Sequence, residues 1–243
     1  MNKSGTPVYG LRFPANPLYF LISISYFLCC GCGEPVHAPP ALAAKPEIPT
    51  NSPIPANLKT AGYDYYGLDD RTPLPMKETV GDSVLLGAAV TRIVSVDKNK
   101  AVFDQSWTGD LVQHADSEVE ATPEGVFAIS LYNQTLPNPQ MNLPADPVTG
   151  KAWTYEASVT GPNGEDIKEK GRDVIIGVEK LQLGKKTYDA LRIDEAGTSR
   201  VNQKEYRDTV KRWLVKGLGT VKLETDSTSG NETQHRVIVA DLD

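Results

Sequence analysis

Residues 153–167, WTYEASVTGPNGEDI, alternate apolar and polar side chains before a turn signal. Trp153, Tyr155, Ala157 and Val159 occupy every second position, and a period of two is typical of a half-buried β-strand. The Asn-Gly pair at 163–164 tolerates positive φ at both positions, which makes it the strongest short hairpin signal. The stretch therefore predicts a strand, a tight turn and a second strand over 167–178.

The same pattern recurs along the rest of the chain. Runs rich in β-branched and aromatic residues occupy 91–96 and 101–107, 119–121 and 126–131, and 181–183 and 187–193. Each pair is separated by a short polar turn, and Tyr63 and Tyr65 begin an earlier alternating segment. Turns at this regular spacing favour antiparallel sheets over parallel βαβ units. We predict an all-β domain over residues 58–243, either an antiparallel β-sandwich or an open, curved half-barrel.

One segment, 202–214, fits both a helix and a strand. Tyr206, Val210 and Trp213 have helical spacing, and Asn202 and Glu205 are placed as in a capping box. The alternation of residues 209–215 and the Gly-Leu-Gly turn at 217–219 fit a strand equally well. Periodicity alone leaves the two alternatives open.

Three short motifs resemble the TapB-like proteins, a family of bacterial exported β-domains of unknown function. They are GKAWTY at 150–155, IGVE at 176–179 and WLVKGLGTVK at 213–222, with the middle motif displaced by one residue. The resemblance covers about residues 143–225. It implies an all-β domain, often on a lipoprotein and without an established reaction. It also implies that the 202–214 segment is a strand entering a glycine hairpin.

Five motif residues are candidate structural anchors. Large rings contribute strongly to a core because each buries about 150–250 Å², so we expect Trp153, Tyr155 and Trp213 to be core residues rather than a ligand platform. Gly217 and Gly219 most simply permit a turn or bulge, since glycine adopts positive φ freely.

The first 32 residues are typical of a bacterial lipoprotein signal peptide. Lys3 and Arg12 precede a short apolar run at 18–30, which ends in cysteines. A spanning helix needs about 20 apolar residues, so a membrane span fits less well. Cleavage after the small residues at 41–43 is a further alternative. We expect Cys32, preceded by Gly31, to carry the lipid, with Cys30 as the fallback.

Residues 33–57 form a proline-rich segment that we expect to be a disordered tether. Seven prolines are spaced through small and polar residues, with too few large side chains to bury a core. At about 3.1 Å per residue, such a segment could hold the folded domain roughly 75 Å from a bilayer.

Composition excludes several classes of function. The chain has 25 basic and 31 acidic residues. Without Lys3 and Arg12 the balance is 23 to 31, a net charge of −8, and no basic cluster fits nucleic acid. No cysteine follows Cys32, and the histidines are His37, His114 and His235, so we expect no metal and no cofactor. His114 and Asp116 form a polar pair in what we expect to be an exposed turn.

These observations predict a non-catalytic, lipid-anchored module on the exported side of a bacterial membrane, outer or cytoplasmic. It would bind or scaffold an envelope protein, with the lipid anchor as its membrane attachment. The first alternative is a carrier of an apolar ligand, and the second is an envelope hydrolase. A filled interior would favour the binding module, whereas an unfilled apolar face would favour the carrier.

The signal peptide generates a direct prediction. Cys32→Ala should abolish acylation and leave unprocessed precursor in the membrane, because the acceptor thiol is lost. Mass spectrometry of the mature N-terminus measures this. A wild-type chain that starts unmodified at Ala44 would contradict the lipoprotein assignment.

Overall fold

The computed structural model describes residues 53–69, 72–112, 114, 116–161 and 164–242. A 3-10 turn at Ala56–Leu58 and one helix, α1 (Ala61–Tyr66), precede the strands. The strands of the described part are β1 (Leu74–Val80), β2 (Ser83–Val96), β3 (Ala101–Gly109), β4 (Ser117–Thr122), β5 (Gly125–Leu131), β6 (Gln134–Pro144), β7 (Ala152–Thr160), β8 (Asp166–Leu183), β9 (Lys186–Val201), β10 (Lys204–Val215), β11 (Gly219–Ser229) and β12 (Glu232–Ala240).

All of these strands belong to one antiparallel sheet. Their order is β6-β5-β4-β3-β2-β1-β12-β11-β10-β9-β8-β7, so strands that are consecutive in the chain are neighbours in the sheet except β6 and β7, which are its two edges. The two halves of the meander are joined where β1 pairs with β12. The sheet curves into a nearly closed, barrel-like shape. The all-β prediction is confirmed, in the form of a single curved sheet rather than two stacked sheets.

The prediction of a strand beginning at Tyr63 is wrong, because residues 61–66 form α1. The Thr60 side chain accepts a hydrogen bond from the Tyr63 backbone at 3.2 Å, and Gly67 ends the helix with a φ of 72°. Tyr63 and Tyr66 lie three residues apart on one helical face and are both buried. The Tyr63 ring packs edge-on against the Phe103 ring of β3, with 6.1 Å between the two ring centres.

Apolar side chains of the sheet form three packed clusters. The first surrounds α1 and includes Phe103, Ile193 and Leu214. The second contains Tyr155 and Tyr206 with apolar residues of β5–β9. The third lies around Trp213 and reaches β1, β11 and β12. Burial of this kind contributes about 25 cal/mol per Å² of apolar surface removed from water.

The ambiguous segment 202–214 is a strand, β10, with a bulge between Trp213 and Leu214. Trp213 is 5% exposed and is covered by charged side chains. The centre of the Trp213 ring lies 4.7 Å from the Lys222 ammonium and 5.7 Å from the Arg192 guanidinium. The indole N–H of Trp213 donates a hydrogen bond to Glu179. The turn that follows places Gly217 and Gly219 at φ values of 78° and 81°.

Tyr155 lies across two glycines on neighbouring strands. Gly171 and Gly197 face each other between β8 and β9, and a Cβ at Gly171 would lie 2.5 Å from the Tyr155 hydroxyl. The phenol ring therefore occupies the space that two side chains would otherwise fill. Trp153 is partly buried against the first apolar cluster.

Replacing either tryptophan tests its role in the core. Trp213→Ala and Trp153→Ala should each lower the free energy of unfolding by about 3 to 5 kcal/mol, because each leaves a large cavity. Denaturant unfolding measures the change. Val178→Ala, at a position that is 55% exposed, is the control and should cost less than about 1 kcal/mol. A Trp153→Ala protein with wild-type stability that no longer captures a fluorescent apolar probe would instead favour a ligand role.

Candidate functional site

An open groove that carries exposed charge runs along the outer face of β7–β10. It has two adjoining parts of about 760 and 1120 Å³. Residues 137–140 of β6 form one wall. The exposed residues of the lining point outward from the four strands, and they alternate with buried residues that also border the groove, such as Tyr155, Glu169 and Ser199.

The floor of the groove is cationic. Its exposed cations are Lys168, Lys170 and Arg172 of β8, Arg200 of β9 and Arg207 of β10. The lining also contains two exposed carboxylates, Glu156 and Glu205. The chain as a whole carries a net charge of −6. The groove therefore concentrates positive charge on an otherwise acidic protein.

Two of these cations lie directly opposite each other. Lys168 of β8 and Arg200 of β9 are cross-strand partners, and the next partner of Arg200 is Glu205. Like charges in directly opposed positions destabilise a sheet. Nearby carboxylates offset this repulsion, because the Lys168 ammonium lies 3.5 Å from Asp166 and Arg200 lies opposite Glu205.

The opposite face of the same strands carries four buried carboxyl groups, which we call the carboxyl layer: Glu169, Asp173, Glu195 and Asp208. Asp173 and Glu195 are direct cross-strand partners. The Tyr155 hydroxyl donates to Glu195, and the Ser199 hydroxyl donates to Asp208 at 2.8 Å.

Arg212 is the buried cation closest to Asp173, at 3.9 Å. It also donates to the backbone carbonyl of Asn142 at 3.3 Å. The Asn142 side chain donates to the Tyr66 hydroxyl at 2.9 Å. This chain of contacts connects the carboxyl layer to α1, so the helix and the sheet interior share one polar network.

Burial changes the acidity of the layer. It raises the pKa of Asp173 to about 7, and the charge of Glu195 adds to the rise, while Arg212 opposes it. Burial likewise raises the pKa of Asp208 to about 7, against hydrogen bonds from Ser227 and Ser199. Burial and the neighbouring carboxylates also raise the pKa of Tyr155. The Tyr155 phenol therefore stays protonated and remains a donor to Glu195.

His114 is not in an exposed turn, so that expectation is wrong. Its side chain is buried, and its Nε2 lies 2.9 Å from Glu78. Arg236 donates to the other oxygen of Glu78 at 3.0 Å, and the imidazole lies 5.0 Å from the Trp107 ring. Burial lowers the pKa of His114. Through Glu78, His114 connects the segment after β3 to β1 and to Arg236 of β12.

The anchors proposed from the motifs occupy structural positions. Trp213, Tyr155 and Trp153 pack among apolar residues, and Gly217 and Gly219 form a turn. Cys32 and Cys30 lie outside the described residues. Sequence reasoning missed the groove, although the period-two placement of Lys168, Lys170 and Arg172 marks a cationic strand face.

Two kinds of feature are absent from the described residues. No group of three or more histidine, cysteine or acidic residues there is arranged to hold a metal ion. Within the same residues, no helix has the length and apolar character needed to cross a bilayer.

The carboxyl layer predicts an unusual dependence of stability on pH. A carboxyl group whose folded-state pKa is raised from 3.8 to about 7 binds more protons when folded. The protonated group's contribution to the free energy of unfolding is fully present below the pKa that the group has in the unfolded chain. This contribution is lost as pH rises through about 7. The melting temperature should therefore fall between about pH 4 and pH 7 and level off above that range. Asp208→Asn should flatten this fall, because asparagine cannot ionise.

Thermal unfolding across that pH range measures the effect. In a domain of this size, a loss of about 1 kcal/mol in the free energy of unfolding lowers the melting temperature by ~2 to 4 °C. Asp189→Asn, which replaces an exposed carboxylate on β9, is the matched control and should keep the wild-type profile. An Asp208→Asn profile as steep as that of wild type would show that Asp208 is already ionised at low pH.

No protein-family model matches the chain, and no curated protein matches it. Three solved structures are similar to it at low identity. A candidate lipoprotein from Parabacteroides distasonis is 12% identical, with a TM-score of 0.49, over 72% of this chain and 95% of that one. A candidate exported protein with a YmcC-like fold from Bacteroides fragilis is 6% identical, with a TM-score of 0.41, over 70% of this chain and 93% of that one.

The third structure, the hypothetical lipoprotein YmcC from Escherichia coli, is 12% identical, with a TM-score of 0.33, over 74% of this chain and 88% of that one. These three likenesses are too distant to carry a functional argument. None of them names the TapB-like proteins, so that resemblance stays a prediction from the motifs.

Proposed function

We propose that this chain is a lipid-anchored binding module of the bacterial cell envelope that holds an acidic partner in the groove on β7–β10. Acylated Cys32 would attach it to the membrane, and the part of the proline-rich segment before Ile54, which packs against the first apolar cluster, would hold the sheet away from the bilayer. The observation that carries the proposal is the cationic floor of the groove, built from five exposed cations on an acidic chain.

The groove is accessible and polar, which suits a binding surface. Hydroxyl groups of Thr154, Ser158 and Thr198 lie between the cations. The exposed large apolar residues of the described part, such as Val84, Leu86 and Val112, do not line it. Charge and hydrogen bonding therefore dominate its chemistry, and electrostatic complementarity would select and orient an acidic partner.

The interior gives less support to a carrier of an apolar ligand. A carrier needs an unfilled apolar face, whereas apolar side chains of the sheet pack against each other in three clusters. The carboxyl layer adds charge to the interior, and an apolar ligand would have to lie against it. Burial of ionisable groups beside an apolar ligand is costly.

The hydrolase alternative receives little support from the histidines. His114 is buried and held by Glu78, and His235 is exposed beside Asp226 at 2.7 Å. Neither lines the groove. We therefore propose a binding function without catalysis.

Charge reversal in the groove tests the proposal. The lipidated chain carrying Lys168→Glu and Lys170→Glu should lose the envelope partner that wild type recovers from membranes of the native host, because the central cations become repulsive. Recovery should also fall for wild type at high salt, since exposed charges are screened beyond about 10 Å at 0.1 M ionic strength.

The matched control reverses Lys185 and Lys186, which are exposed in the turn at the opposite end of β8 and at the start of β9. It changes the net charge equally and should leave recovery intact. Equal recovery by wild type and the groove variant would place the binding surface elsewhere. Uptake of a fluorescent apolar probe by the wild-type chain would favour the carrier instead.

A further inference from the structure

The two edges of the sheet, β6 and β7, meet without backbone pairing between them, at a place that we call the seam. Two glutamine side chains of β6 connect the edges. The Gln134 carboxamide accepts from the Thr160 N–H at 3.0 Å and donates to the Thr160 carbonyl. The Gln140 carboxamide oxygen accepts from the Glu156 N–H at 3.2 Å.

These carboxamides occupy the positions of peptide groups in a neighbouring strand. In an antiparallel pair, a hydrogen-bonded residue exchanges both its N–H and its C=O with the residue opposite. Gln134 makes this double exchange with Thr160 through its side chain. The β7 edge is therefore satisfied by two amide side chains instead of a continuous ladder.

The two edges differ in their ability to accept a strand. β6 contains Pro137 and Pro139, and its pairing with β5 is interrupted in this region. Proline and irregular pairing are devices that block strand addition at an edge. β7 has nine residues, lacks proline and pairs with β8 without a bulge. Of the two, β7 has the backbone that can accept another strand.

The surroundings of β7 determine which side chains an added strand would need. Toward the interior, Ala157 and Val159 belong to an apolar cluster with Leu136. Toward the outside, the two lysines of β8 that line the groove lie one strand further away, with Lys170 directly opposite Glu156 of β7. Successive side chains of a strand point to opposite faces, so apolar residues would alternate with acidic ones.

We propose that β7 accepts an extended segment of a partner protein, in which apolar and acidic residues alternate and whose backbone displaces Gln134 and Gln140. Addition of a strand to an exposed edge draws affinity from main-chain hydrogen bonds and specificity from alternate side chains. The inference rests on the proposed function, because it names the class of acidic partner that the groove binds.

A labelled nine-residue peptide that alternates valine and glutamate is the probe, and fluorescence anisotropy with the full mature chain is the measurement. Two further peptides carry backbone N-methyl groups, one on the valines and the other on the glutamates. In an extended strand, alternate N–H groups point to the same side, so only one of the two sets faces β7. We expect that set alone to weaken binding, by roughly tenfold or more.

Equal binding by both methylated peptides would overturn strand addition, because side-chain charge would then be sufficient. Weak binding by every valine-glutamate peptide, together with strong binding of vesicles of phosphatidylglycerol, would assign the groove to an anionic membrane surface and would also overturn it. Self-association of the chain that the peptide does not displace would assign the edge to a second copy.

Variants of the protein test the seam independently. Gln134→Ala with Gln140→Ala should strengthen peptide binding, because the competing carboxamides are removed. Ser158→Pro removes the backbone N–H between those of Glu156 and Thr160, and should weaken binding while the β7–β8 ladder remains. Lys170→Glu should weaken binding of the valine-glutamate peptide and improve binding of a valine-lysine peptide, an exchange that a folding defect cannot produce.

Failure of strand addition at β7 can be distinguished from failure of partner binding in the groove. If charge reversal at Lys168 and Lys170 removes the envelope partner but N-methylation has no effect, the binding groove stands and strand addition is wrong. If the peptides behave as expected but charge reversal leaves the envelope partner bound, the edge accepts strands and the proposed function at the groove is wrong.

Discussion

A sheet that must bury one face against itself has to curl until its edges meet, and this requirement shapes the whole molecule. In the described part of the chain twelve strands form one sheet, and the pairing of β1 with β12 places the first and last of them side by side in its middle. The edges are consequently β6 and β7, which are neighbours along the chain. Both the seam and the groove beside it follow from that closure, because a wall from β6 is brought alongside the floor formed by β7–β10.

Closure also explains the polar interior. A small curved sheet brings inward-pointing side chains from several strands close together, and in the region of β8–β10 these include the carboxyl layer. Removing ionised carboxylates from water is costly, so the groups are retained with hydrogen-bond donors such as Tyr155 and Ser199 and with raised pKa values. Asp173 and Asp208 respond to burial by holding protons to higher pH.

The two faces of β8–β10 therefore carry opposite chemistry within the thickness of one sheet. Lys168 and Lys170 point outward from β8, whereas Glu169 and Asp173 point inward. A shift in register by one residue would exchange the faces, exposing the acids and burying the lysines. The hydrogen bond from the Gly161 N–H to the Glu165 carbonyl before β8, and the glycines that receive Tyr155, help to hold the register on which the cationic groove depends.

Much of this fold can be predicted from local patterns. The period-two alternation of Trp153, Tyr155, Ala157 and Val159, together with the regular turns, is sufficient for an antiparallel meander, because consecutive strands pair with each other everywhere except between β6 and β7. Only the tertiary structure determines that β1 pairs with β12, that residues 61–66 are a helix, that His114 is buried against Glu78, and that Lys168 lies opposite Arg200. These features depend on contacts between residues far apart in sequence, and on curvature summed over twelve strands, which a local pattern of side chains does not encode.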